Sequence, residues 1–193
     1  MANSATKIMV IRHAEKPDGS IQGVDIDGSD GPENLVVQGW QRAGALARFF
    51  APLNSQFQHV GIAQPKFLFA SGPISKKVKK EGGDGSKSER PEQTITPLSQ
   101  LLDIRIDLSF AEGEEAQVAA AAAASDGVVL IAWQHEGIPA IADAIPGKTG
   151  VVPSSWPGAR FDIVWVFDLQ TDGTYSFSQV AQQLLAGDLS TVI

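Results

Sequence analysis

The chain has no cysteine, two methionines, a single tyrosine and only three histidines in 193 residues. Without cysteine there are no disulfides, no thiolate nucleophile and no cysteine-ligated metal. Three histidines, His13, His59 and His135, argue against a histidine-rich metal site. Positive charge is also scarce: Lys and Arg number 15 against 22 Asp and Glu, a formal net charge of −7. No long basic stretch dominates, so a nucleic-acid partner is disfavoured. No apolar run is long enough to span a bilayer. Residues 1–6 lead straight into a strand pattern, so no signal peptide is read and cytoplasm is the expected location. Hydrophobic content of 43% suffices for a core, and the length predicts one domain over 1–193.

What is present is a series of apolar runs that stop abruptly on charged residues. Ile8-Met9-Val10-Ile11 reads as a buried strand, and it ends on Arg12 and His13. At the carboxyl end of a strand in an open α/β sheet, such residues stand where ligands bind. Arginine offers a fixed fork of donors for phosphate or carboxylate. Histidine beside it can act as nucleophile or proton carrier. Phe67–Ser71 reads as a second strand, closed by Gly72-Pro73. Val128–Trp133 is the most convincing strand of all, and it ends on Gln134, His135 and Glu136. Phe161–Leu169 reads as another, with Asp172-Gly173 a turn signal before Tyr175.

Helical spacing appears over 35–50, where Leu35, Val36, Trp40, Ala43, Leu46, Ala47 and Phe50 form a stripe. Arg42 and Arg48 fall off it and are expected in solvent. Arg90-Pro91 opens a second helix, proline being well placed in a first turn. Arg90 thereby sits beside backbone donors that favour anions. Residues 112–125 read as a third helix, acids first and then alanines. Ile138 to Ile145 suggests a short fourth. The segment from Val180 to Asp188 is compatible with strand or helix. His59 reads as structural or exposed, and Trp156 and Trp165 could face a core or a partner.

Two long loops flank the strand ends. Residues 17–34 are acidic, carrying Asp18, Asp25, Asp27, Asp30 and Glu33; they form a solvated loop or a lid. Residues 75–87 run from a lysine cluster into glycines. They form a mobile loop or an electrostatic collar for an anion.

Alternating strands and helices predict a three-layer α/β/α sandwich with a largely parallel central sheet. A parallel sheet would bring Arg12, His13, Arg90 and His135 to one edge. Two arginines and two histidines repel one another unless an anion sits among them, and phosphate meets that need.

These segments resemble the histidine phosphatase (phosphoglycerate mutase-like) superfamily. Arg12-His13-Ala14-Glu15 is similar to its Arg-His-Gly signature. Leu35 to Ala43, with Gly39, is similar to the helix after the first strand. Ser71 and the run Ser88 to Thr94 resemble the family's serine and its Arg-x-x-Gln-Thr helix start. Leu130 to Ile138 resembles the strand carrying the second histidine. Ala14 replaces the usual glycine, and Val36 stands where a capping Ser or Thr is common, which would forgo about 1 kcal/mol.

The resemblance implies a metal-independent phosphatase with no cofactor, acting on a phosphorylated small molecule or a phosphoprotein. His13 would be the nucleophile, forming a phosphohistidine that water then hydrolyses. Arg12 and Arg90 would clamp the phosphoryl oxygens, with His135 hydrogen-bonded to the same group and Ser71 in the binding set. The proton donor would be Glu136, with Glu112 or Glu114 as alternatives. Glu15 would orient Arg12 or its neighbours. A mutase within the same fold, and a phosphate-binding module without turnover, stand as the other readings. Substrate and oligomeric state are not legible in the residues.

Overall fold

The computed structural model describes residues 4–73 and 87–193. The lysine-rich segment 75–87 therefore lies almost wholly outside the described residues. Among the described residues seven strands form one sheet: β1 (Lys7–Arg12), β2 (Phe67–Ala70), β3 (Ile106–Asp107), β4 (Val128–Trp133), β5 (Lys148–Thr149), β6 (Ile163–Leu169) and β7 (Tyr175–Ala181). Their order is β3-β2-β4-β1-β6-β7-β5. Strands β2, β4 and β1 are parallel neighbours, and β6 runs antiparallel to both β1 and β7. Six strands thus share a direction and β6 alone is reversed, because the Asp172-Gly173 turn joins it to β7 as a hairpin. The helices among the described residues are α1 (Val37–Phe50), α2 (Arg90–Leu102), α3 (Glu115–Ala123) and α4 (Ile138–Ala144).

The alternation along β1 divides the core. Ile8 and Val10 face Val118, Ala122, Ile138 and Ile141 of α3 and α4. Met9 and Ile11 face Leu46, Phe50, Ile95 and Leu98 of α1 and α2. Each strand of β1 and β4 is buried on both faces, which is why both read as unbroken apolar runs. The expected three-layer α/β/α sandwich is the observed architecture. Among the described residues no helix is long and apolar enough to cross a membrane.

Several boundaries differ from the sequence expectation. Helix α1 begins at Val37; Leu35 and Val36 are buried but precede it, and Val36 makes no side-chain cap. The third helix starts at Glu115, since Gly113 adopts φ +92 and forms a turn before it. Val180 and Ala181 finish β7, and the following residues to Asp188 are irregular. Two short edge strands, β3 and β5, carry too few residues to show a period. Trp156 and Trp165 are both buried in the core, 5.2 Å apart. His59 is half-buried with its ring 6.0 Å from Phe49.

Arg42 overturns its expected place in solvent. It is 3% exposed and binds Glu15 and Asp188 at 2.8 and 2.7 Å. Its Nη1 also donates to Gln182 Oε1. The chain beyond β7 folds back over this face of α1, a long-range event invisible to helical periodicity. Burial works against the Arg42 charge, but the hydrogen bonds it donates to Asp188 and Glu15 outweigh it and raise its pKa. Glu15 is thereby turned toward Arg42, rather than binding Arg12.

Candidate active site

The register of the central strands assembles the site. Arg12 pairs with Trp133, and Ala70 with Ala132. The next backbone bonds continue this alignment: His13 N–H donates to Trp133 O, and Ser71 N–H to Ala132 O. The chain therefore leaves β1, β2 and β4 at one level of the sheet. His13, Ser71, Gln134 and His135 emerge together at the carboxyl edge.

Helix α1 approaches this edge closely. A Cβ on Gly39 would stand 2.6 Å from the carbonyl oxygen of Glu15, so only glycine permits this contact. Helix α2 supplies the link from the other side. Thr94 Oγ1 accepts from Ala14 N–H at 2.8 Å and donates to the Arg90 carbonyl at 2.7 Å. Gln93 Oε1 accepts from Leu35 N–H at 2.9 Å. The Gln-Thr pair thus ties the start of α2 to both neighbouring loops.

A polar cavity of about 160 Å³ lies at the convergence, lined by His13, Lys16, Ser71, Ser88, Arg90, Pro91, Glu112, Gln134, His135 and Glu136. The candidates His13, Ser71, Arg90, His135, Glu136 and Glu112 all border it. Glu114 does not; its Oε2 accepts from Ala111 N–H at 2.9 Å, closing the turn before α3. Arg12 is not in the lining. It is 1% exposed and lies behind the cavity, with Nη1 donating to the carbonyls of Gly158 and Arg160. Its Nε and Nη2 are buried without a hydrogen-bond partner among the described residues.

His13 is held in one tautomer. Its Nδ1 lies 2.7 Å from the carbonyl oxygen of Ala14, which can only accept. Nδ1 therefore carries the hydrogen and Nε2 keeps its lone pair. Burial lowers the pKa to about 3; Arg12, Arg90 and Lys16 lower it too, while the Ala14 bond opposes the shift. Near neutral pH the ring is uncharged.

The cations around it are oriented without being neutralised. Arg90 donates from Nε to Asn34 O at 3.2 Å, from Nη2 to Pro32 O at 2.7 Å and from Nη1 to Ser88 Oγ at 3.2 Å. Its carboxylate neighbour, Glu33, pairs with it more loosely, at 3.6 Å, and is about half exposed. The end of the acidic loop 17–34 is therefore anchored on Arg90. Burial lowers the Arg90 pKa, and brings that of Arg12 down to about 10. His135 Nδ1 lies 2.7 Å from Glu136 Oε2. Burial and Arg12 lower the His135 pKa, and Glu136 counteracts them.

The site thus combines an uncharged imidazole nitrogen, the buried guanidinium of Arg12, with two donors that have no partner among the described residues, and the half-buried guanidinium of Arg90. It suits an anion with several oxygens, and it places a nucleophilic nitrogen beside that anion. Among the described residues no group of three or more His, Asp or Glu is arranged to hold a metal ion. Lys16, Gln134, Thr94 and Phe161 escaped assignment from sequence. Lys16 and Gln134 adjoin His13 and His135 in the chain, which was the available signal. Phe161 had none.

No family model matches the chain, and no curated protein matches it either. Solved structures do. The protein histidine phosphatase SixA complexed with tungstate aligns over 91% of this chain and 97% of its own, with TM-score 0.51 and 13% identity. YhfR of Bacillus stearothermophilus aligns over 96% and 98%, with TM-score 0.47 and 14% identity. A mycobacterial glucosyl-3-phosphoglycerate phosphatase aligns over 94% and 100%, with TM-score 0.46 and 13% identity. At such identities a match speaks for architecture, and the match to SixA establishes it: the chain adopts the histidine phosphatase, phosphoglycerate mutase-like fold.

Proposed function

We propose that the protein is a phosphatase that hydrolyses a phosphomonoester through a phosphohistidine on His13, without a metal. The observation that carries this reading is the His13 tautomer. Nδ1 is committed to the Ala14 carbonyl, so the Nε2 lone pair is directed away from it and free to attack phosphorus. Attack forms the N–P bond and breaks the P–O bond to the leaving alcohol. Water then attacks the phosphohistidine, releasing inorganic phosphate and restoring the ring.

On this reading Arg12, buried next to His13 and outside the cavity lining, joins Arg90 and His135, which border the cavity, in stabilising the charge of the phosphoryl group. Donors held by carbonyl seats keep their positive charge for the transferring group, and burial strengthens them. Ser71, at the end of β2 on the other side of β4 from β1, contributes a hydroxyl to the same wall. Glu136 is the preferred proton donor to the leaving alcohol, because it lines the cavity and contacts His135. Glu112 is the alternative. On this reading the chain acts as one domain over 1–193, in the cytoplasm, on a phosphorylated small molecule or phosphoprotein.

A second reading, a phosphate-binding module without turnover, draws on one observation: Arg12 lies outside the cavity lining, and His13 is 4% exposed. Phosphate release from p-nitrophenyl phosphate, without added metal, separates the two. The phosphatase reading predicts release by wild type and none by His13→Ala. Tight phosphate binding by a protein that releases none would support the module instead.

A further inference from the structure

Arg12 and Arg90 are seated differently. Arg90 is held by hydrogen bonds that it donates to the loop at 32–34 and to Ser88, and by an ion pair with Glu33 at 3.6 Å. Arg12 lies over an aromatic face, its guanidinium carbon 3.8 Å from the centroid of the Phe161 ring. Among the described residues only Nη1 finds hydrogen-bond partners, the Gly158 and Arg160 carbonyls. Among the described residues no carboxylate forms an ion pair with the buried guanidinium. Its charge is held by a ring quadrupole and two backbone dipoles, which orient a cation without cancelling it.

Phe161 has little else to do. It belongs to none of the three apolar clusters among the described residues. Its other ring neighbour is His13, at 6.2 Å between centroids. A half-buried phenyl group outside the core, placed against the two central residues of the site, is poorly explained by packing.

The seat is fixed from below. Trp156 Nε1 donates to the Arg160 carbonyl at 2.8 Å. Arg160 Nε donates to Asp162 Oδ1 at 2.7 Å, and Asp162 Oδ2 accepts from Leu189 N–H at 2.7 Å. A Cβ on Gly158 would stand 3.3 Å from His135 Nε2, so the same segment also borders the second histidine. The turn 156–162 is therefore a rigid shelf between Arg12, His13 and His135.

We propose that Phe161 is a positioning residue for Arg12: its ring sets the plane of the guanidinium so that Nε and Nη2 stay unpaired and available to an anion. This rests on the reading that the site binds a phosphoryl group. An aromatic ring is required and an aliphatic side chain of similar bulk does not replace it, because the attraction comes from the π face.

The experiment compares wild type, Phe161→Leu and Phe161→Tyr in the full chain. It measures turnover of p-nitrophenyl phosphate, binding of inorganic phosphate by calorimetry, and thermal midpoint. Phe161→Leu is expected to weaken phosphate binding and lower kcat/KM by about tenfold, with a midpoint near that of wild type. Phe161→Tyr is expected to restore both to within about twofold. Wild-type phosphate affinity in Phe161→Leu would overturn the proposal, as would a Tyr variant as defective as the Leu variant. A lowered midpoint with unchanged phosphate affinity would show a merely structural ring, and would also overturn it. A wild type that neither binds phosphate nor turns over ester would instead overturn the phosphoryl-site reading itself.

Discussion

The backbone N–H of Ala14 donates to Thr94 Oγ1 at 2.8 Å, across 80 residues of sequence. The same hydroxyl donates to the Arg90 carbonyl, so one buried side chain couples the loop of His13 to the helix of Arg90. Thr94 is fully buried, and no water can replace it without rearrangement. Thr94→Val preserves the shape and leaves the Ala14 N–H unpaired. The expected cost is about 1–3 kcal/mol in urea denaturation. A loss of turnover larger than the loss of Thr94-dependent stability at the assay temperature is also expected, because both site loops lose their common tie.

The Arg42 network gives a larger effect. Side chains of Arg42, Glu15 and Asp188 are 3%, 12% and 6% exposed. Arg42→Ala would leave two buried carboxylates without their cation. Breaking a buried pair in this way costs about 3–5 kcal/mol. Urea denaturation of Arg42→Ala checks this, and a change below about 1 kcal/mol would show that the network is not a stability element.

Acid stability reports on His13. Its pKa in the fold is about 3, against 6.5 for a free imidazole. Between these values the unfolded chain binds the proton and the folded protein does not. Stability is therefore lost as pH falls through that window, and it is regained as pH rises above it. His13→Gln removes the group, so the variant should lose less stability than wild type between about pH 7 and pH 4. Parallel urea midpoints in the two proteins would show that His13 titrates normally. The same depression predicts that any acid limb of kcat/KM found near pH 6 does not come from His13.

The proton-donor assignment is tested by leaving-group dependence. Glu136→Gln should slow hydrolysis of an alkyl phosphate by about 10²-fold or more, and hardly affect p-nitrophenyl phosphate, whose leaving group needs little protonation. Glu112→Gln showing that pattern instead would transfer the role. Glu114→Gln should affect neither, since that carboxylate caps the turn at Ala111.

Much of this arrangement was legible in the residues, for a definite reason. The β1 and β4 runs are buried on both faces, so their apolar stretches end where the sheet ends. Arg12, His13 and His135 are read directly from those endings. Arg90 is legible because Pro91 marks a helix start. What stayed hidden depends on chain segments far apart in sequence. Arg42 lies off the apolar stripe of α1, yet the residues after β7 cover it. Phe161 precedes β6 by two positions and carries no motif, and only the folded chain brings it beneath Arg12. The seat that holds Arg12 outside the cavity lining is likewise a property of the turn 156–162, with no local signature.

The central claim is that Nε2 of His13 takes the phosphoryl group, and trapping the intermediate tests it most directly. Wild type is mixed with a reactive phosphomonoester, quenched in alkali within the first turnover, and mapped for phosphohistidine by mass spectrometry and phosphorus NMR. The account predicts the label on His13 at Nε2, and its loss in His13→Ala. A label at Nδ1 of His13, a label on His135, or turnover with His13→Ala as fast as wild type would contradict it.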